Sequence, residues 1–364
     1  MMVLDLELPD ATRAELDPTL LDADLEWART DVPEGTAART LRSLIDRGLD
    51  RSAISTDPSA LPLFVEVLVG IATMFPAAGV VLTMHAAVLH LATSSGSEAQ
   101  RARVTKPGTL WGFGAAPPAD TPRAAVERTS SGAALRGSLR RVSGAGVIEG
   151  LAALVPYGNK SAVLLVETER RGVRVEPSWA SAGLRASSTR AVHFDDVEVD
   201  RDDVVTLVES AAELPSWETA MIGLCAVCAG IARRAALIAL EQLRADRTGP
   251  AVRRASRSEL ASALEEATAA MAITRALAAR ARRGPTDRVA LLGAKMATAA
   301  AAERAVDAAR SVVGMESFEP PHPLERLSRD VLGVRHFFPV DPVALDVMLD
   351  VIAPESKARG GDAT

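Results

Sequence analysis

Three alanine-rich stretches follow one another between residues 217 and 314: WETAMIGLCAVCAGIARRAALIALEQLRA, SRSELASALEEATAAMAITRALAARARR and TDRVALLGAKMATAAAAERAVDAARSVVG. Each runs for 25 to 30 residues and is rich in the strongest helix formers, so the spacing predicts three long helices packed as a bundle. A shorter helix, PVALDVMLDVI, closes the ordered chain, and ESKARGGDAT reads as a frayed tail. Ahead of the bundle, from about 106 to 205, glycine, proline and serine punctuate short runs such as TLWGFG, AALRGSL, GVIEGLAALVPY, SAVLLVET and GVRVEPSW. These predict strands joined by turns, hence a small β domain. The first 105 residues return to helical spacing in TARTLRSLIDRGL, PLFVEVLVGIATMF and GVVLTMHAAVLHLATSSG, with SEAQRARV as a short polar helix.

The expected fold class is therefore α+β and mainly helical, in the order helical, β, helical. The expected domains are 1–105, N-terminal helical; 106–208, middle β; 209–353, C-terminal helical bundle; and 354–364, a flexible tail. Few architectures place a β domain between two helical ones.

Composition removes several function classes. Apolar residues make up 48% and charged residues 24% of the 364, which is globular rather than disordered. A net charge of −6, spread along the chain, argues against nucleic acid as the main partner. The longest apolar stretch is broken by Glu66, Pro76 and His85, which suits a buried helix pair better than a membrane span. The start has no basic region leading into an apolar run, so the expected location is cytoplasmic. Cys225 and Cys228 have C-x-x-C spacing, but they lie inside a helical pattern with no second ligand pair; they read as two core cysteines.

Residues 183 to 199, GLRASSTRAVHFDDVEV, carry the densest local signal. A glycine and an arginine lead into hydroxyl residues, then an apolar alternation that shifts phase at Asp195-Asp196 and predicts a bulge or turn where the β domain hands over to the bundle. Two readings suit the loop: Arg185 and Ser187 bind an anionic or carbonyl group, or the glycine and hydroxyls simply satisfy a turn.

This stretch, GSEAQRARV (96 to 104) and PLERLSRD (323 to 330), in this order, resemble segments of the acyl-CoA dehydrogenase superfamily. The resemblance spans nearly the whole chain and implies FAD bound between the β domain and the bundle, in a homodimer or homotetramer. It also implies, in the dehydrogenases, a glutamate that removes the α proton of an acyl thioester carried by CoA or a carrier protein. A hydroxylase branch of the same family uses reduced flavin and oxygen without that glutamate.

Carried over residue by residue, the resemblance meets several departures. The usual glutamate position, eight residues beyond Asp330, is Phe338. Glu218, or Glu265 and Glu266, are alternative bases on bundle helices that also read as solvated helix charge; His336 is either a hydroxylase-branch proton carrier or a structural histidine. In the first flavin segment the hydroxyl and glutamate positions become Ala116 and Pro117. In the second, LRGSLRRVSG, Leu135, Gly137, Ser143 and Gly144 match, while the aromatic wall position becomes Arg141. LRADRTG offers Arg244 and Arg247 in place of the bundle arginine that reaches a neighbouring subunit's flavin. The implied cofactor contacts are thus Arg141, Ser143, Gly144, Arg185, Ser187, Arg244 and Arg247. Three functions fit: an oxidoreductase acting on an acyl thioester in a bacterial pathway; a flavin-dependent monooxygenase; or a flavin-free member, as a non-catalytic subunit in a heteromer with a paralogue or as a redox-neutral biosynthetic enzyme.

Overall fold

The structure, a computed structural model, describes residues 61–115, 124–130, 132–178, 181–209, 213–245, 250–284, 286–337 and 339–352. The helix expected in TARTLRSLIDRGL, and the positions Ala116, Pro117, Arg247 and Phe338, lie outside these residues.

Three described helices precede the sheet: α1 (Leu61–Met74), α2 (Pro76–Ser95) and α3 (Glu98–Val104). Pro76 opens α2 at its first position, where the missing N–H costs nothing. Ser97 and Gln100 close a reciprocal capping box on α3. Eight strands follow: β1 (Trp111–Ala115), β2 (Ala125–Thr129), β3 (Gly132–Val142), β4 (Gly150–Tyr157), β5 (Lys160–Glu167), β6 (Val173–Val175), β7 (Arg190–Glu198) and β8 (Val204–Val208). They form one mixed sheet in the order β6-β7-β3-β2-β4-β5-β8, with β1 parallel to β4. The bundle comprises α4 (Pro215–Ala245), α5 (Pro250–Ala281) and α6 (Arg288–Val313), followed by α7 (Pro323–Arg335) and α8 (Asp341–Ile352). Helix α4 runs through the centre, packed on α5, α6, α1 and α2. Helices α2 and α4 are long and apolar enough to cross a bilayer, but most of each apolar window is buried inside the protein. The strong helix spacing of α7, read in the sequence only as a motif, was hidden by its shortness.

The expected phase shift is a bulge inside β7. Leu135 pairs with Val197 and Gly137 with Phe194, which leaves Asp195 and Asp196 together opposite Arg136. Asp196 takes φ 50°, and its carboxylate accepts from Arg136 Nε at 2.6 Å. The handover to the bundle comes later, after β8, so the shift lies one strand earlier than the sequence suggests. Cys225 and Cys228 are buried in α4 as free thiols, and burial pushes Cys225 up to about 11 and Cys228 further still. Among the described residues no cluster of three histidine, cysteine or acidic side chains has the makings of a metal site.

Single polar side chains join the layers. His85 of α2 is buried, and its Nδ1 accepts the backbone N–H of Trp111 at 3.1 Å, which leaves the proton of the neutral ring on Nε2. Gln100 donates to the carbonyls of Asp202 and Val204 at 2.8 and 3.0 Å, tying α3 to the approach to β8. Asp330 of α7 accepts the N–H of Leu184 at 2.6 Å, and Arg329 donates to Ala182 O at 2.7 Å. Gly183 makes this approach possible: a Cβ there would lie 2.1 Å from Arg329 O.

Two pH-dependent outcomes follow from these joints. Burial pushes His85 down from 6.5 to about 4, so the unfolded chain takes up its proton first. Its contribution is complete above about 6.5 and is lost as the pH falls to about 4, amounting to roughly 3 kcal/mol. Urea unfolding at pH 7.5 and pH 4.5 measures it; His85→Gln, which keeps an acceptor for Trp111, flattens the acid limb. Asp330 shifts the other way, upward through burial against the pull of Arg326, the Leu184 N–H and Arg329. Its contribution is complete below the ordinary aspartate range and declines as the pH rises through its raised value. Wild type therefore loses ground to Asp330→Asn as the pH climbs, whereas Asp330→Ala also orphans the Leu184 N–H and costs about 2 kcal/mol below the ordinary aspartate range, a cost that shrinks as the pH rises.

Candidate functional site

The 183–189 loop reaches from β6 to β7 and is bent around a 3₁₀ turn at Arg185–Ser187. Leu184 and Ser188 flank that turn at φ 54° and 50°, left-handed conformations that side-chain-bearing residues rarely hold without surrounding support. The support is visible. Asp330 holds Leu184 from one side, and the Ser187 hydroxyl donates to Leu184 O at 2.7 Å from the other. Ser187 Oγ and Thr189 Oγ1 lie 2.7 Å apart, and Thr189 Oγ1 reaches Ser143 Oγ at 3.4 Å.

Ser143 and Gly144 sit in the turn after β3, facing this loop. The Gly144 N–H donates to Ser187 O at 2.9 Å, and Gly144 itself takes φ 80°. A Cβ on Gly144 would meet Ile148 at 2.9 Å and Val81 of α2 at 3.3 Å. Ser143, Ser187, Ser188 and Thr189 are 2%, 0%, 0% and 5% exposed. The structure thus brings Ser143, Gly144 and Ser187 together, as the sequence pattern implies, but as one hydrogen-bonded unit roofed by protein. A flavin ring edge needs donors and acceptors that face it; the hydroxyls and the Gly144 amide here already bond to one another. The residues present at this wall do not fit the ring.

The arginines named with them are placed differently. Arg141 at the end of β3, Arg185 on the 3₁₀ turn and Arg244 near the end of α4 are all exposed.

Neither proton-transfer candidate stands at this wall. His336 is exposed and caps the C-terminus of α7, its own N–H donating to Leu332 O at 3.1 Å. Glu218 is half-buried in the first turn of α4, and its Oε1 accepts the backbone N–H of Thr286 at 2.8 Å. Beside it, His90 Nδ1 and Thr219 Oγ1 lie 2.6 Å apart. Burial pushes His90 below its usual value, opposed by the Glu218 carboxylate. His90 and Thr219 did not stand out in the sequence, since 129 residues separate them; the adjacent Glu218-Thr219 pair was the only local hint. Glu265 is exposed, and Glu266 pairs with Arg304 at 2.5 Å.

A separate groove of about 560 Å³ runs along the seam of α3, β5 and the turn before β8. Arg103 and Arg170 lie in it, paired with Glu167 and Asp203, so its charges close on themselves. None of its lining residues belongs to the Ser143–Thr189 unit.

Comparison with known proteins places this geometry in context. Residues 219–343 match the family model described as acyl-CoA dehydrogenase, C-terminal domain. Butyryl-CoA dehydrogenase from Megasphaera elsdenii superposes with TM-score 0.80 at 17% identity, covering 94% of this chain and 95% of the other. The glutaryl-coenzyme A dehydrogenase–glutaryl-CoA complex gives TM-score 0.80 at 18% identity, with 100% and 99% covered. KijD3, solved with FMN and a dTDP-linked amino sugar, gives 0.69 at 21% identity, with 97% and 96% covered. No curated protein matches the sequence. Residues 219–343 thus match the C-terminal domain of the acyl-CoA dehydrogenases, and the chain as a whole shares the fold of these solved structures.

Proposed function

We propose that this chain is a non-catalytic subunit of an acyl-thioester-processing assembly, built on the acyl-CoA dehydrogenase fold and paired with a flavin-bearing paralogue. One observation carries the reading: Ser143 and Ser187, for which the family resemblance implies flavin contacts, are 2% and 0% exposed and both bond to Thr189. Two others agree with it. Glu218 Oε1 is engaged by a backbone N–H away from this wall, and His336 lies exposed at a helix end. A base must keep a lone pair within reach of the proton it takes. The family match, together with neighbours whose names specify CoA dehydrogenases, supports an acyl thioester, on CoA or a carrier protein, as the assembly's substrate.

A second reading, a flavin-dependent oxidoreductase acting on the acyl thioester itself, is favoured by the exposed Arg141 and Arg185, since guanidinium groups suit a pyrophosphate. The monooxygenase variant of that reading draws on the FMN-bound neighbour. Flavin binding separates the readings. The chain expressed alone is expected to be colourless, with an unmoved melting temperature in excess FAD or FMN. A tightly bound flavin at a hundred times its Kd would instead stabilise the fold by about 2.7 kcal/mol. A yellow product, or a flavin-dependent melting shift, restores the oxidoreductase reading.

A second measurement reads the wall itself. Gly144→Ala places a Cβ at φ 80° against Ile148 and Val81 and is expected to cost about 1–3 kcal/mol in urea unfolding. A stability loss below about 0.5 kcal/mol would mean the turn has room above it, against the closed wall.

A further inference from the structure

Lys295 lies in the middle of α6 and is 2% exposed, with its side chain beneath the junction of α7 and α8. Its Nζ donates to three backbone carbonyls: Arg335 O at 2.8 Å, Phe337 O at 3.1 Å and Pro339 O at 2.9 Å. An ammonium has three N–H bonds, and each finds one acceptor. Arg335 O belongs to the last turn of α7, where helix carbonyls lack partners and carry the negative end of the helix dipole.

Asp341 completes the shell. Its Oδ1 lies 3.7 Å from Nζ, beyond hydrogen-bond reach, and is buried with no hydrogen-bond partner of its own. Its Oδ2 accepts from Arg335 Nε at 3.1 Å, and Arg335 also pairs with Glu303. Two cations and two carboxylates therefore balance here. On the inner side are the thiols of Cys225 and Cys228, which burial keeps protonated. Burial pulls the Lys295 ammonium down from its usual value, opposed by the Asp341 carboxylate.

We propose that the carbonyls of Arg335, Phe337 and Pro339, with the Asp341 carboxylate, form a cage for a monovalent, hydrogen-bond-donating cation. The chain fills this cage with its own Lys295 ammonium, and the filled cage fixes the junction of α7 and α8. The site suits an ammonium rather than the smaller sodium ion because its three carbonyl oxygens stand 2.8–3.1 Å from Nζ, the spacing of N–H···O hydrogen bonds, beside an orphan carboxylate oxygen. Lys295 thereby fixes how α7 meets α8.

The test uses the full-length chain and two variants. Lys295→Met keeps most of the bulk and removes the charge and donors; it is expected to lower the melting temperature by about 5 °C or more and to speed amide exchange around residues 336–341. Lys295→Ala empties the cage, and ammonium or methylammonium chloride is then expected to recover part of both losses. Sodium chloride or tetramethylammonium chloride at the same concentration is expected not to, since the first lacks donors and the second is too bulky and lacks them too. Should Lys295→Ala not fold in sodium chloride, refolding from urea in each salt gives the same comparison. Wild-type stability and exchange in Lys295→Met overturn the proposal. So does any Lys295→Ala result in which ammonium-type salts do no better than the controls.

Discussion

One buried carboxylate holds the two halves of the molecule in register. Asp330 gives a lone pair to the backbone N–H of Leu184 across 146 residues of sequence, inside a contact so close that only glycine fits at position 183. Leu184 sits in a left-handed conformation, and its N–H would be stranded in the interior if α7 moved away. From that fixed point the chain turns through Arg185–Ser187 and lays Ser187 and Thr189 against Ser143. The wall beside α2 is therefore a consequence of how α7 docks. A small rotation of α7 would release the strained turn before it disturbed the sheet, because the sheet's own ladder does not depend on that contact.

The sequence made the order of layers legible because each layer has its own periodicity. The alanine-rich helices announce themselves over many turns, and the strand runs are bounded by glycine and proline. Short elements were harder to read. Helix α7 has only 13 residues and looked like a motif, and the five-residue β2 and β8 gave no pattern long enough to separate from loop. The GLRASSTR stretch was legible as a unit because its hydroxyls bond within a few residues of one another. What it does was not legible, because that depends on exposure. Spacing places Ser143 opposite Ser187, but only packing reveals that Val81 of α2 lies above Gly144.

Long-range pairs escaped the sequence for a related reason. His90 with Thr219, Glu218 with Thr286, and Lys295 with the carbonyls after α7 are each joined across dozens of residues. Lys295 is one lysine in an apolar helix, GAKMATAAAA, and nothing near it in sequence says that its partners are backbone oxygens. A carbonyl acceptor leaves no compositional trace, since every residue supplies one.

That last point bears on function. His85, Gln100, Glu218, Lys295 and Asp330 come from five different helices, and each directs its polar atoms at backbone groups of another element. Backbone N–H and C=O groups at element ends are costly to bury unpaired, and side chains that satisfy them specify one docking geometry. A side chain that does chemistry must instead leave an atom uncommitted in the resting protein. His85, Glu218, Lys295 and Asp330 are committed to such joints, while Arg141, Arg185 and Arg244 lie exposed. Such a division is what the proposed non-catalytic role requires: the fold is held by many specific polar contacts, and Ser143, Ser187 and Thr189 are part of the core.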